Sequence, residues 1–415
     1  MKKNYFLILI LLFSVFQAQI LNIPDANFKT KLLSANLTNG VAKNNAGQNI
    51  IIDTNANSEI DISEALTVYR LEFYSSNITN LNGITGFTNL KNLKVGSMDV
   101  PSINLNGLSN LQVLDIGSFN ALQSLNLSNF SQLQYVKVSN GMNLTSVILD
   151  NLPVLSQVVI NTNTNLSSVA MTNLPALANL NCTSNNGLQQ ITLANFPLLT
   201  LVALDNNSLT SLQLLNVPMI SKLTANNNEF TNLNVSMLPN LQEISVVFNQ
   251  LTTLDLNASP LLHTVYVSEN NLQSLKIKNG GQNFPSIFQM FNNPPFQNLC
   301  CDTEDITIAT VRLNQQGYTS ATVDSSCPAA PVLSSAETLE KSDQVSFYPN
   351  PVKDILYFKS KEKIVKAEIF DSLGRILKSQ SINGDSITVS ELSKGNYLIK
   401  LYTKDRFIIQ NFIKN

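Results

Sequence analysis

The sequence predicts a mostly β chain. Its centre is a parallel solenoid of ten short units, with a small helical cap before it, a second cap after it, and a separate small β-sandwich at the C-terminal end. Three observations carry this. Apolar pairs separated by one residue recur every 21 or 22 residues from Leu71 to Val265. Proline recurs in the second half of those units, which argues against helix interiors there. Beyond residue 344 the charge balance changes sign, and short alternating runs replace the repeat.

The first segment, 1–18, reads as a signal peptide. Lys2 and Lys3 precede an apolar run from Phe6 to Phe16, and Ala18 offers a small residue before Gln19. The run is shorter than the ~20 residues of a membrane-spanning helix. No comparable run follows, so no transmembrane segment is expected in the mature chain. Export places the cysteines where disulfides form.

Residues 19–66 are expected to cap the solenoid. A short helix is predicted over 23–35, with Pro24 at its first position and Asp25 favoured by the N-terminal dipole. Phe28, Leu32 and Leu33 would pack on the first unit. The stretch Asp53-Thr54-Asn55-Ala56-Asn57-Ser58-Glu59-Ile60-Asp61-Ile62-Ser63-Glu64 follows. It resembles the twelve-residue EF-hand calcium loop, with oxygen side chains at positions 1, 3, 5, 9 and 12. The resemblance implies Ca2+, with Asp53, Asn55, Asn57 and Glu64 as direct ligands. It further implies Glu59 through its carbonyl, and Asp61 directly or through water. Ser58 departs from the glycine usual at position 6, and no long helix precedes Asp53. The other reading is a polar, Asn-rich turn that only caps the solenoid.

The repeat occupies 67–279. The first members of its apolar pairs are Leu71, Leu93, Leu114, Val136, Val158, Leu180, Val202, Leu223, Ile244 and Val265. In a strand, alternate side chains face opposite sides, so Val202 and Leu204 point inward while Ala203 and Asp205 point out. In the 21-residue units an Asn follows at a fixed offset: Asn207, Asn228, Asn249 and Asn270. Asn turns readily and bonds neighbouring backbone, so a stack of Asn side chains is expected at this corner. The 22-residue units carry one extra residue there, and a less regular ladder is expected in them. The remainder of each unit should form a second, short extended segment. This pattern resembles the leucine-rich repeat, most closely its short-unit, internalin-like bacterial form. The resemblance implies a stacked solenoid whose sheet is a binding surface.

Outward positions of the first units gather charge and aromatic rings: Arg70, Glu72, Tyr74, Lys94, Asp115, Tyr135 and Lys137. Tyr and Arg are common interface anchors, so these seven are the candidate partner-binding residues. The other reading is an ordinary solvated face. The lone histidine, His263, is read as structural or solvated. No G-x-S-x-G, H-E-x-x-H or phosphate-loop sequence is present, so no enzyme is expected. A net charge of −2 lacks the footprint of a nucleic-acid binder.

Residues 280–331 are expected to form the C-terminal cap, with a helix over 306–316 and a strand over 318–323. Cys327 is expected to pair with Cys300 or Cys301, rather than remain free or bind zinc. The residues do not choose between the two; Cys301–Cys327 is the pair taken here. Closing about 26 residues contributes ~3–4 kcal/mol in the loop-entropy model. Cys182 lies at an inward strand position and is read as core.

A Pro/Ala/Ser-rich linker, 332–344, precedes the last domain, 345–415. From Lys341 onward there are 13 Lys and Arg against 8 Asp and Glu, whereas 66–278 holds 7 against 9. Short apolar runs separated by Gly turns suggest a small β-sandwich. Phe347-Tyr348-Pro349-Asn350-Pro351, Ile369-Phe370-Asp371-Ser372-Leu373-Gly374-Arg375, Leu392-Ser393-Lys394-Gly395-Asn396-Tyr397 and the terminal Phe412-Ile413-Lys414 resemble the type A C-terminal sorting domain of the type IX secretion system. That resemblance implies export across the outer membrane and contact with the secretion machinery.

These readings lead to a secreted or cell-surface binding or adhesion protein, expected to be monomeric, that engages a protein or a glycan. The alternative is a secreted accessory or enzyme of extracellular polymer degradation.

Overall fold

The computed structural model describes residues 19–75, 77–280, 283–327, 346–349, 351–360, 363–370, 376–382, 384–403 and 407–414. The expected signal peptide and the linker lie outside these residues, as does the turn Leu373-Gly374-Arg375. The chain divides into two compact units, Met1–Ala330 and Pro331–Asn415.

The first unit is a solenoid. The first members of all ten predicted apolar pairs lie on strands of one sheet, and neighbouring strands pair in parallel with these residues in register: Leu71 beside Leu93, Leu93 beside Leu114, and so on to Ile244 beside Val265. The solenoid is one turn longer than the repeat suggests. Ile287–Gln289 forms an eleventh parallel strand, with Phe288 beside Val265. A step of 23 residues and a Phe-x-Met pair hide this turn from the sequence pattern. Residues 280–331 thus begin as a further turn of the solenoid and only then become a cap.

At the other end, Ala42–Lys43 pairs antiparallel with Arg70–Leu71. The predicted second segment is also present on the opposite side, as three parallel groups of strands that include 124–128, 190–194 and 253–255. One apolar core runs from Ile23 to Leu313 between the two sides, as expected where no single repeat can bury its own face.

From the fifth turn onward, the corner after the long-sheet strand is held by asparagine. Asn163, Asn185, Asn207, Asn228, Asn249, Asn270 and Asn293 are all buried. Each donates its amide to a carbonyl of the preceding turn's strand, for example Asn185 to Ile160 at 2.9 Å and Asn228 to Leu204 at 2.9 Å. The 22-residue turns starting at Leu71, Leu114 and Val136 carry no buried Asn at this corner, so the ladder is less regular among them as expected; those starting at Val158 and Leu180 keep it but change what it accepts. In them the Asn carbonyl oxygen takes the backbone N–H of the residue one unit earlier, as Asn207 takes Asn185. In the shorter turns it takes the N–H two residues beyond the previous Asn, as Asn228 takes Leu209. The extra residue therefore moves the donor and leaves the side chain in place. Only the first turns lack the ladder: Met98 and Phe119 fill the corresponding corner with apolar volume.

The N-terminal helix is Ala26–Leu33. Pro24 lies outside it, and Asp25 is its N-cap, accepting from the Phe28 N–H at 2.9 Å. Phe28 and Leu32 are fully buried, and the Phe28 ring lies 5.8 Å from that of Phe73. At the C-terminal end a helix spans Ile306–Gln315. The strand there is confined to Thr322–Asp324, because Tyr318 turns inward and caps the last Asn.

The disulfide corrects the pair taken from sequence: Cys300, not Cys301, bonds Cys327. The reason is strand alternation. Leu299 and Cys301 continue the inward pair Leu275 and Ile277 on the neighbouring strand, so the Cys301 side chain joins the core. Cys300 points the other way. Burial first, then the charges of Asp305, Asp302 and Asp324, push the Cys301 thiol up to about 12. Cys182 is buried and likewise pushed up to about 12 by burial.

The second unit has two antiparallel sheets. One holds 346–348, 355–359 and 386–388; the other holds 376–381, 366–370, 395–402 and 407–414. They share a core that includes Leu356, Phe358, Ile369, Ile399 and Phe412.

Candidate functional site

The seven residues singled out on the first turns stand on one side of four adjacent strands. Glu72, Lys94, Asp115 and Lys137 are successive register partners, so they form one row across the sheet with alternating charge. Lys137 reaches Asp115 at 3.4 Å. Alternation makes the row largely self-compensating.

Tyr74 is the prominent feature. It is 57% exposed, at the end of its strand, and its ring lies over Gly96. A Cβ on Gly96 would stand 3.0 Å from the ring and 2.4 Å from the Gly117 carbonyl oxygen. Glycine there lets the ring lie flat on the sheet. Burial pushes the Tyr74 phenol up, and Asp115 and Glu72 add to this against Lys137. Burial and then Asp115 do the same for Tyr135. Arg70 and Tyr135 occupy the row at the strand entrances.

Two residues that sequence reasoning passed over join this face. Lys43 stands opposite Arg70 on the antiparallel cap strand, and Lys31 projects from the last turn of the N-terminal helix. A depression of about 170 Å³ is lined by Gly40, Lys43, Arg70, Glu72, Asn92 and Lys94. An adjoining one, of about 450 Å³, shares Gly40, Lys43 and Glu72 and extends to Lys31 and Tyr74. A two-residue strand has no periodicity to read, so nothing in the sequence aligned Lys43 with Arg70.

Further along the sheet the outward carboxylates are engaged singly. Asp205 accepts from the Thr224 hydroxyl at 2.5 Å and from the Asn226 backbone and side-chain amides at 2.8 and 2.7 Å. His263 contacts the Thr264 hydroxyl through Nδ1 at 2.9 Å.

The loop 53–64 folds its oxygens inward. Asp53 accepts from the N–H groups of Asn57 and Ser58 at 3.1 and 3.0 Å. Asn55 accepts from Asn57, and Asn57 from Glu59. Ser58 adopts φ +64°, the left-handed conformation that the sixth loop position demands. Asn55 donates to Asp61 at 2.7 Å. Glu64, however, spends one oxygen on the amides of Thr54 and Asn55 and the other on the N–H of Asp61, which starts a short helix. The Glu59 carboxylate is tied to Lys29 at 2.5 Å. Asp53, Asn55 and Asn57 fit the loop chemistry; Glu64 fits it only by giving up those amides.

Residues 346–415 match the secretion system C-terminal sorting domain. No curated protein matches the chain. Among solved structures it is similar to an internalin from Listeria monocytogenes, at 18% identity and TM-score 0.36, covering 75% of this chain and 92% of that one. It is similar to the functional domain of InlJ from Listeria monocytogenes at 17% identity and TM-score 0.30, covering 68% and 75%. A leucine-rich-repeat protein from Leptospira interrogans is similar at 15% identity and TM-score 0.18, covering 63% and 97%. No helix among the described residues is long and apolar enough to cross a membrane. The 70-residue tail thus belongs to the type IX secretion C-terminal sorting domains, which marks the protein as secreted or cell-surface, and its first unit has the fold of a leucine-rich-repeat solenoid.

Proposed function

We propose that this protein is an extracellular binding or adhesion module that holds a protein or glycan on the face of its first four turns. The observation that carries the reading is the exposed Tyr74 ring, laid flat beside charged rows and two adjoining depressions. Exposed aromatic rings flanked by Arg and Lys are what interface anchors look like. The sorting domain serves delivery, so the binding work falls to the solenoid. Capture on a glycan array, or pulldown with a purified surface protein, tests it with the full secreted chain. Tyr74→Ala, Lys94→Ala and Tyr135→Ala should each lose capture; binding unchanged in all three would move the site off this face. Removal of 345–415 should leave the protein in the periplasm, and unimpaired secretion would refute the address.

We also propose that loop 53–64 takes calcium, weakly, because Glu64 must first release its amides. The left-handed Ser58 supports the reading. Affinity should fall near the ~0.1–1 mM of extracellular calcium modules. Calorimetry should show heat that Asp53→Asn abolishes. No heat and no thermal shift at millimolar calcium would sink the site.

A further inference from the structure

We infer that the junction of the cap strand with the first turn is a binding site for an acidic sugar, with Lys43 and Arg70 holding the anionic group. The inference rests on the proposed binding role of this face and names the ligand class.

Lys43 and Arg70 are direct antiparallel partners whose strand neighbours Ala42 and Leu71 are fully buried, so both project to the outer side of the sheet. Like charges placed opposite each other on neighbouring strands are unfavourable. Among the described residues neither cation has an ion-pair partner within 4 Å, and neither donates a side-chain hydrogen bond. Lys94 lines the same depression, and Lys31 lines the adjoining one. The protein thus gathers Lys43, Arg70, Lys94 and Lys31 around the two depressions against the single carboxylate Glu72, whereas Asp115 and Lys137, two and three strands away, are paired with each other. An anion seated between Lys43 and Arg70 would relieve that repulsion with charge-assisted hydrogen bonds.

Two features choose a sugar over an acidic peptide. Glu72 sits between the two depressions. It would repel a run of carboxylates, but it can accept hydroxyl donors placed beside a single anionic group. The backbone edge is also already used: the Glu72 N–H donates to the Val41 carbonyl, and the Tyr69 N–H to the Lys43 carbonyl. A peptide therefore cannot add as a strand here. The groove continues to Tyr74, whose exposed ring offers a flat platform for a neighbouring sugar ring. A carboxylate and a sulfate would satisfy the cations alike.

Calorimetry on the full secreted chain can use four probes: oligogalacturonate for the carboxylate, heparin-derived oligosaccharide for the sulfate, neutral dextran oligosaccharide, and poly-glutamate. Binding of either acidic sugar but not dextran is expected. Lys43→Gln and Arg70→Gln should each weaken it about tenfold, and added salt should weaken it further. Both side chains lie on the surface, so circular dichroism should report an unchanged fold. Three results would overturn the site: neither acidic sugar bound, equal affinity in both variants, or poly-glutamate bound in their place. Because the array and pulldown assay Tyr74 and Tyr135 separately, either reading can fail while the other stands.

Discussion

The two ends of the solenoid are closed by different chemistry. At the N-terminal end, carboxylates accept backbone amides. Asp25 caps the first helix with one oxygen and takes the N–H groups of Thr79 and Asn80 with the other, at 2.8 and 3.0 Å. Glu64 does the same for Thr54, Asn55 and Asp61. At the C-terminal end carboxylates also accept amides, as Asp305 does from the Phe284 N–H at 3.0 Å, but a covalent bond is added to them. Cys300–Cys327 ties the last opposite-side strands together. The exposed edge strand 287–289 is covered by the Gln316 side chain, which accepts from the Met290 N–H at 2.7 Å and donates to the Phe288 carbonyl. The Tyr318 hydroxyl donates to the Met290 carbonyl and accepts from the Asn293 N–H. An open sheet edge invites pairing with other chains, and each end answers that hazard with what its sequence supplies. The difference teaches that the C-terminal end should respond to reductant, and that the N-terminal end, where both carboxyls are held low, should respond more strongly to acid.

Reduction should have the largest effect. Removing a bond that closes a 27-residue separation costs about 3.5 kcal/mol in the loop-entropy model. Cys300→Ser should lower stability by about that much, with hydrogen-exchange protection lost over 298–324 and kept over 20–66. Cys301→Ser should not mimic it through a lost bond. Mass spectrometry with and without reductant would break the assignment if Cys301 proved to be the bonded thiol.

Next in size is the ladder between the ends. Asn228→Ala leaves the buried Leu209 N–H without its acceptor and removes one donor from the carbonyls of Leu204, Ala225 and Asn226, which keep the Asn207 amide, the Asn249 amide and the Asn206 N–H. A buried backbone N–H left without a partner is costly, and about 2 kcal/mol is expected by urea denaturation. A loss below ~1 kcal/mol would mean that water replaces the side chain.

Acid should separate the ends more gently. Burial pushes the Asp25 and Glu64 carboxyls up, but the amides of Phe28, Thr79 and Asn80, and of Asp61, Thr54 and Asn55, outweigh it and hold both below the usual range. A depressed carboxyl stabilises the fold above its unfolded pKa, and that stability is lost as pH falls through the folded value. The N-terminal cap should therefore loosen below about pH 4. The C-terminal end carries opposing groups. Asp324 is held low despite burial, by Ser326, Asn298 and the Cys327 N–H. Asp305 is raised by burial and by Asp302 and Glu304, against the Phe284 N–H; its contribution is present at low pH and lost as pH rises. Exchange measured between pH 6 and 3 should show 20–35 and 53–66 losing protection before 298–324. Simultaneous loss at both ends would break the comparison.

The sequence made the middle of this molecule legible and its ends much less so. The ten inward pairs stand out because a solenoid repeats one burial pattern, and the stacked Asn follow from it. The eleventh turn escaped because its pair is Phe288 and Met290 at a stretched interval. Cys300 and Cys301 could have been told apart: laying Leu299 and Cys301 over Leu275 and Ile277 makes Cys301 the inward residue. The outward rows at the candidate site were readable by alternation, and so were Arg70 and Tyr74. Lys43 was not, because its place depends on an antiparallel contact between segments with no shared pattern.

The smallest predicted effects are the sharpest test of that contact, because they differ in sign. Lys137 is paired with Asp115 at the surface, and such pairs contribute about 0–1 kcal/mol. Lys137→Gln should lower the melting temperature slightly. Lys43 stands opposite Arg70 and neither has an ion pair among the described residues, so Lys43→Gln removes a repulsion of roughly 0.2–1 kcal/mol and should raise it slightly. Both shifts should shrink in high salt. A destabilised Lys43→Gln would mean that Lys43 is compensated in the free protein. The positive charge gathered beside Arg70 would then need another explanation than a seat for an anion.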